Sequence, residues 1–547
     1  MNKLYLVLFL FYPFLINAQD ILWEKSYGGK HADYLFDAQP TADYGFILAG
    51  SSLSNKTGNK TEDNHGDLDY WVWKMNEKGD LDWQKSLGGS GFDLLQSIKN
   101  TKDGGFILAG TSNSGNDFQK KDTCKGVTDF WIVKLDAKGG EQWQKTIGGS
   151  GQDELITAFQ TRDGGYILGG SSSSNPSIKK KNPNEKSSLD VKPDLYGKSE
   201  KSRGNMDYWI VKLDKEGVVQ WQKTYGGEYT DLLRSMGQTK EGGYVLGGYS
   251  NSPQSGDKTD GNIGIGDYWI VKIDDKGTIE WQKTYGGNGD NQLYVIHQTD
   301  DGGYIAGGNS NSTSPLTPMG GMVNNGTDYW ILKMDDKGTI VWSQTYDFGK
   351  VDILTSLVEN KDHTFLIGGY AQSENTNSAV KIVKRDKEGI NDYIALKINE
   401  QGEILWNKTV GSSGEDILRK LIETRDGGYL LTGTSNAKSS RDKNSAIGSN
   451  DFWVVKIKDK KKPIEKKATI EAIPNPAVTF TNIIIGYEFE TGTATLVDMA
   501  GRILQQFSIT SRTVPVDLSR YPDGVYVVNI KTNVQSDGVK VIKGGKN

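Results

Sequence analysis

Residues 207–227 read DYWIVKLDKEGVVQWQKTYGG, and this stretch decides the fold. Tyr208 to Leu213 is a short run of aromatic and β-branched residues, the composition of a strand. Asp214-Lys215-Glu216-Gly217 makes a tight turn, Asp at its first position and Gly at its fourth, and returns the chain into a second strand from Val218 to Tyr225. Upstream, Leu155 to Gln160 and Gly165 to Gly169 are two further strand-like runs. Thr161-Arg162-Asp163-Gly164 joins them, with Gly164 where a hairpin turn followed by a bulge requires positive φ. A long polar loop, Ser171 to Met206, separates the two hairpins, so residues 153–225 form one four-stranded antiparallel unit.

The unit recurs along the chain. Trp23, Trp83, Trp143, Trp221, Trp281, Trp342 and Trp406 each precede a Gly-rich corner, at spacings of 60, 60, 78, 60, 61 and 64 residues. Trp71, Trp131, Trp209, Trp269, Trp330, Ile394 and Trp453 each follow Asp-Tyr or Asp-Phe. Only Trp73 falls outside these two series, and both count seven copies. Seven four-stranded units of about 60 residues predict a β-propeller, in which neighbouring blades cover each other's faces. An open solenoid is the rival. The chain begins with a lone fourth strand, Ile21 to Tyr27, and its last unit stops after a third strand, Asp451 to Lys458, so each end supplies what the other lacks. The fold class expected is all-β: a closed seven-bladed β-propeller, four strands per blade with the N-terminal strand completing the last blade, then a small C-terminal β-sandwich. The D-x-x-G-x-x-x-W run of Asp136 to Trp143 resembles the repeat of quinoprotein-type propellers. The turn here is one residue shorter and only turn and outer strand match, so the resemblance supports the fold and implies no quinone cofactor.

After the repeats comes a Lys-rich linker, residues 458–468, read as a solvated spacer. The remaining 469–547 carry Pro474-Asn475-Pro476, a turn ending in Gly501, the strand Gly524-Val525-Tyr526-Val527-Val528, and a last strand from Lys540. In order and spacing these segments resemble the type A C-terminal sorting domain of the type IX secretion system of Bacteroidetes. The resemblance implies that the type IX machinery is a partner of this tail. It also implies that Pro474, Asn475, Pro476, Gly501, Gly524, Val525, Tyr526 and Lys540 make up the secretion-signal motif. The repeat region looks like uncharacterised repeats carried by such cargo, which brings no activity with it.

The N-terminus agrees with export. Lys3, an apolar run from Leu4 to Leu15 and Ile16-Asn17-Ala18 before Gln19 read as a signal peptide over residues 1–18. That run is shorter than the roughly 20 residues a membrane span needs, so no transmembrane segment is expected in the mature chain. The repeat domain is thus placed at 19–457, and the location expected is secreted or attached to the outer-membrane surface, by way of the periplasm.

Composition removes several functions. A formal charge of -5 argues against a nucleic-acid partner. One cysteine, Cys124, gives neither a disulfide nor a structural zinc site, and His31, His65, His297 and His363 are too scattered for a histidine-built metal centre. No Ser/His/Asp set and no carboxylate pair stands out from the repeat, so no catalytic or cofactor-binding residue is assigned. Acids do recur: Asp33, Asp93, Asp153, Asp231, Asp352 and Asp416, with Asn291 in one copy, begin the first strands, and Asp69, Asp129, Asp207, Asp267, Asp328, Asp392 and Asp451 begin the third. Calcium could use such oxygens, but presence in every copy favours carboxylates closing turns onto backbone amides. Two acidic loops, Glu62 to Asp67 and Asp257 to Asn262, resemble a calcium loop but lack its downstream acid.

Up-and-down strands place all tight turns on one face and all long loops on the other. Those loops are Ser52 to Leu68, Ser112 to Thr128, Ser171 to Met206, Asn251 to Ile265, Asn309 to Thr327 and Ser435 to Asn450. They are read as the only features that differ between copies, hence as the surface that binds a glycan, a peptide or an envelope protein. A secreted hydrolase or lyase with acids at the propeller mouth is the alternative. Lys74, Lys134, Lys212, Lys272, Lys333, Lys397 and Lys456, one per third strand, are expected to pack their stems and keep their heads in water.

Overall fold

The computed structural model describes residues 19–176, 196–313, 316, 326–372, 390–424, 426–459, 470–487 and 489–544. The signal segment, most of the linker and much of the Ser171 to Met206 loop lie outside these residues. The described elements are all strands, and among these residues no helix is long and apolar enough to cross a membrane.

Seven four-stranded antiparallel sheets follow one another, each built from consecutive strands except the last. In the third sheet, Asp153–Gln160, Tyr166–Ser172, Asp207–Leu213 and Val219–Tyr225 pair in that order. In the last, Asp416–Glu423, Tyr429–Ser435 and Asp451–Asp459 are completed by Gln19–Tyr27 from the other end of the chain. Trp23 pairs with Lys456 and Tyr27 with Phe452. The tight turns have the expected glycines at positive φ, Gly164 at 87° and Gly217 at 80° among them, while Tyr44 and His363 adopt φ of 64° and 60° at the same turn position.

One register irregularity explains how the sheets join. Each first strand shifts register after its third residue, as between Leu35 and Asp37 or Leu95 and Ser97. The amide at that point turns to the preceding sheet: Leu95 N donates to Ser51 Oγ at 2.9 Å, Leu155 N to Thr111 Oγ1 at 3.0 Å and Leu233 N to Ser171 Oγ at 2.9 Å. The first sheet makes the same bond to the last, Leu35 N to Thr434 Oγ1 at 3.0 Å. The Asp-Tyr-Trp signature has a matching cause. Tyr70 packs, tilted, against Trp131 of the next sheet with ring centroids 4.5 Å apart and donates to its carbonyl at 3.0 Å. Phe452 of the last sheet lies 4.6 Å from Trp71 of the first. Six of the third-strand tryptophans are fully buried, whereas those of the fourth strands lie partly in water.

The third-strand lysines depart from the sequence reading. Their ammonium groups are buried at the tight-turn face and paired with turn acids: Lys74 with Asp43 at 3.0 Å, Lys134 with Asp103 at 2.8 Å, Lys212 with Asp163 at 2.9 Å and Lys333 with Asp301 at 2.7 Å. The turn carboxylate folds back over the strand end, so a head expected in water is held inside. Where the turn has Glu241 in place of Asp, Lys272 pairs with Glu280 on its neighbouring strand instead.

Strands Ile470–Ile473, Phe480–Ile485 and Thr513–Asp517 form one sheet of the tail, and a four-stranded sheet including Gly492–Asp498 and Gly524–Thr532 packs against it. Ile483, Leu496, Val516 and Val528 lie in the core between them. The tail touches the tight-turn face of the repeats, where Thr513 Oγ1 donates to Asp43 O at 2.8 Å and Arg512 meets Glu77 at 3.3 Å.

Candidate functional site

Recurrent acids close turns onto backbone amides. Asp33, Asp93, Asp153 and Asp231 each accept the amide of the second corner residue, Gly29, Gly89, Gly149 or Gly227, at 2.7–2.8 Å. The third-strand acids accept the amide four residues before them, as Asp69 does from His65 at 2.7 Å and Asp129 from Lys125 at 2.6 Å. Burial, with a neighbouring acid across each sheet junction, pushes Asp69 up to about 7 and Asp129 up to about 6. A residue the sequence reading passed over balances them: a lysine nine positions before the third-strand Asp, as in Lys60, Lys120, Lys198 and Lys258. These lysines are buried and tie the long loop to itself; Lys60 Nζ donates to Ser54 O at 2.7 Å and Lys258 Nζ to Ser252 O at 2.9 Å. The constant spacing was the available signal. The loops that carry this lysine are therefore anchored at their roots. In the two acidic loops the carboxylates go to separate partners, Glu62 to the Ser86 amide at 2.5 Å and Asp257 to Arg203 at 2.9 Å.

The loops are also not the only features that differ between copies. At the fourth position of the first strands stand Phe36, Gln96, Ile156, Arg234, Tyr294, Thr355 and Arg419, all partly exposed and each following a fully buried leucine. Each is the unpaired residue at the register shift, and the shift turns it away from the sheet-packing side, toward the other first strands. The Arg419 guanidinium lies 5.3 Å over the Phe36 ring, and that of Arg234 lies 5.9 Å over Tyr294. The Nε of each arginine is buried without a hydrogen-bond partner. Tyr249 and Tyr370 join this set, occupying the second-strand position that elsewhere holds the Ser, Thr or Asn bonding to the next sheet.

Toward the tight-turn face the axis carries a charged floor. Lys99 pairs with Asp37 at 2.8 Å. Asp37, despite burial, is held below its ordinary value by Lys99 and Lys420. Lys420 is lowered by burial and by Lys99. His297 drops to about 4, by burial and then by the charge of Lys420, so it is neutral at pH 7. The middle of the first strands thus sets Arg234, Arg419, Lys420 and Lys99 against Asp37, inside a chain of net negative charge. Such a set of charges attracts anions. The sequence reading missed it because an axis has no sequence signature until the register of the first strands is known.

The residues expected to form the secretion signal spread over the tail. The Asn475 side chain bridges to the last strand, donating to Lys540 O and accepting from Ile542 N, both at 2.8 Å. Gly501, at φ 77°, closes the turn on Asp498, and buried Tyr526 donates to Pro522 O at 2.5 Å. Gly524 and Val525 begin a strand whose edge partners are Lys543 and Ile542.

Residues 471–544 match the family model of the secretion system C-terminal sorting domain, which marks the chain for type IX secretion and for release or attachment at the cell surface. No curated protein matches the chain. Among solved structures it is similar to Sqt1 from Chaetomium thermophilum, at 10% identity and TM-score 0.39, over 81% of this chain and 99% of that one. It is similar to the Pan2 WD40 domain of Neurospora crassa at 7% identity and TM-score 0.41, over 83% and 99%. PorZ, a surface component of the type IX secretion system of Porphyromonas gingivalis, matches at 10% identity and TM-score 0.23, over 93% and 81%.

Proposed function

We propose that this is a secreted or surface-attached binding protein: a closed seven-bladed propeller that takes an acidic extracellular ligand, best an acidic glycan, into its axis from the long-loop face. One observation carries the reading. Among the residues that depart from the repeat, Arg234, Tyr294, Tyr370 and Arg419 gather in one place, and both guanidinium groups retain an unbonded Nε. Arginine forks suit carboxylates, and tyrosine faces suit sugar rings. The long loops frame the approach, and the tail lies on the opposite face, where it leaves the entrance clear.

The test is a glycan array probed with the mature chain, followed by calorimetry on any acidic hit with Arg419→Ala and Arg234→Ala. Each variant should lose at least tenfold in affinity while its melting temperature stays near that of the parent. Unchanged affinity in both variants, or turnover of the glycan by the purified chain, would overturn the reading.

A further inference from the structure

The junction between the fifth and sixth sheets breaks the repeat in three ways, all of which concentrate negative charge. The first change is at the corner. Gly28, Gly88, Gly148, Gly226, Gly286 and Gly411 open the other corners, and a Cβ there would lie within 1.7–2.7 Å of the third-strand Asp Oδ1. At this corner the residue is Asp347, which brings its own carboxylate.

The second change removes a donor. Opposite the first residue of each first strand stands Ser52, Ser112, Ser172, Ser250, Ser310 or Ser435, and Ser52 Oγ donates to Asp33 Oδ1 at 2.5 Å, Ser310 Oγ to Asn291 Oδ1 at 2.6 Å. Opposite Asp352 the residue is Ala371. Asp352 is fully buried; its Oδ2 accepts the amides of Phe348 and Gly349 at 2.6 and 3.2 Å, and its Oδ1, like those of Asp93 and Asp231, has no partner, here with no hydroxyl opposite to supply one. The third change removes a cation. The loop-root lysine found nine residues before Asp69, Asp129, Asp207 and Asp267 is absent before Asp328, where that position is Met319, and no Lys or Arg occurs between Tyr304 and Lys333.

The result is that carboxylate oxygens of Asp328, Asp347 and Asp352 all lie within 4.8 Å of one another. Three ionised acids held this close repel one another, and a cation seated between them would relieve that repulsion and give the orphaned Asp352 oxygen a partner. We propose that Asp328, Asp347 and Asp352 bind one divalent cation of the calcium class at this junction, on the long-loop face. All three ligands are hard oxygens, which suits calcium or magnesium over zinc or copper. Asp347 is exposed, so water completes the shell, an arrangement typical of weak extracellular calcium sites, with Kd of about 0.1–1 mM.

The experiment uses the mature full chain, stripped with chelator. Calcium calorimetry and terbium luminescence, excited through neighbouring Tyr329 and Trp330, should report one site, and calcium should raise the melting temperature. Asp347→Gly restores the residue of the other six corners and should weaken calcium binding at least tenfold without loss of fold. Ala371→Ser, which returns the missing hydroxyl, should weaken it less. No heat, no terbium signal and no thermal shift at about 5–10 mM calcium, or binding unaltered in Asp347→Gly, would overturn the proposal.

Discussion

The proposed closure of the ring turns on Tyr27. This residue belongs to the last sheet by pairing, yet its side chain sits in the first, 4.5 Å from Trp73, with its hydroxyl donating to Gly79 O at 2.6 Å. It is only 4% exposed. Tyr225 makes the equivalent contact inside the chain, donating to Gly277 O at 2.5 Å, and is also 4% exposed. Removing a buried aromatic ring costs about 3–5 kcal/mol, and the hydroxyl bond adds about 1 kcal/mol. In a closed ring every junction is equivalent, so Tyr27→Ala and Tyr225→Ala should each lower the unfolding free energy by about 3–5 kcal/mol. Tyr27→Phe should cost about 1 kcal/mol. In an open stack Tyr27 would be a terminal residue, and its loss would fray one end at a cost under about 1 kcal/mol. Urea unfolding followed by tryptophan emission and far-ultraviolet dichroism measures both variants. A cost below about 1 kcal/mol for Tyr27→Ala beside several for Tyr225→Ala would refute closure.

Stability should fall as pH rises from 5 to 8. Asp69, Asp129 and Asp416 are raised in the fold to about 7, 6 and 6 by burial, so their contribution is complete below the unfolded value near 3.8 and is lost as pH climbs through 6 and 7. Thermal melts across that range check this, Asp129→Asn should flatten the curve, and a melting temperature that rises toward pH 8 would contradict it. At the turns, Asp163→Asn leaves the buried Lys212 ammonium with Leu213 O and Gln220 alone and, because Asp163 is 59% exposed, should cost about 1 kcal/mol; denaturant titration showing no cost would exclude a working pair. A chain ending at residue 468 should fold with the melting temperature of the repeats but stay out of the culture medium, and normal secretion of that truncation would show that the tail is not the address.

The repeat, its count and its four-stranded unit were legible because tight turns and buried aromatics leave local marks. A turn needs Gly at positive φ wherever it occurs, as at Gly164 and Gly217, and each third-strand Trp needs the same Tyr or Phe beneath it. The tail was legible as a sequence pattern of its own. What stayed hidden depends on residues far apart in the chain. The buried heads of Lys74 and Lys212 were expected in water because partners 31 and 49 residues away fold back over them. The axial arginines were passed over because only the register shift in the first strands turns position four toward the axis. The acid cluster needed the junction itself: Asp328, Asp347, Asp352 and Ala371 are ordinary one at a time, and only the packing of one sheet on the next brings three carboxylates together with a hydroxyl missing. Local backbone chemistry thus determined the unit and its number, while tertiary packing decided which charges meet, because electrostatic energy depends on distance through space and on burial, neither of which is written along the chain.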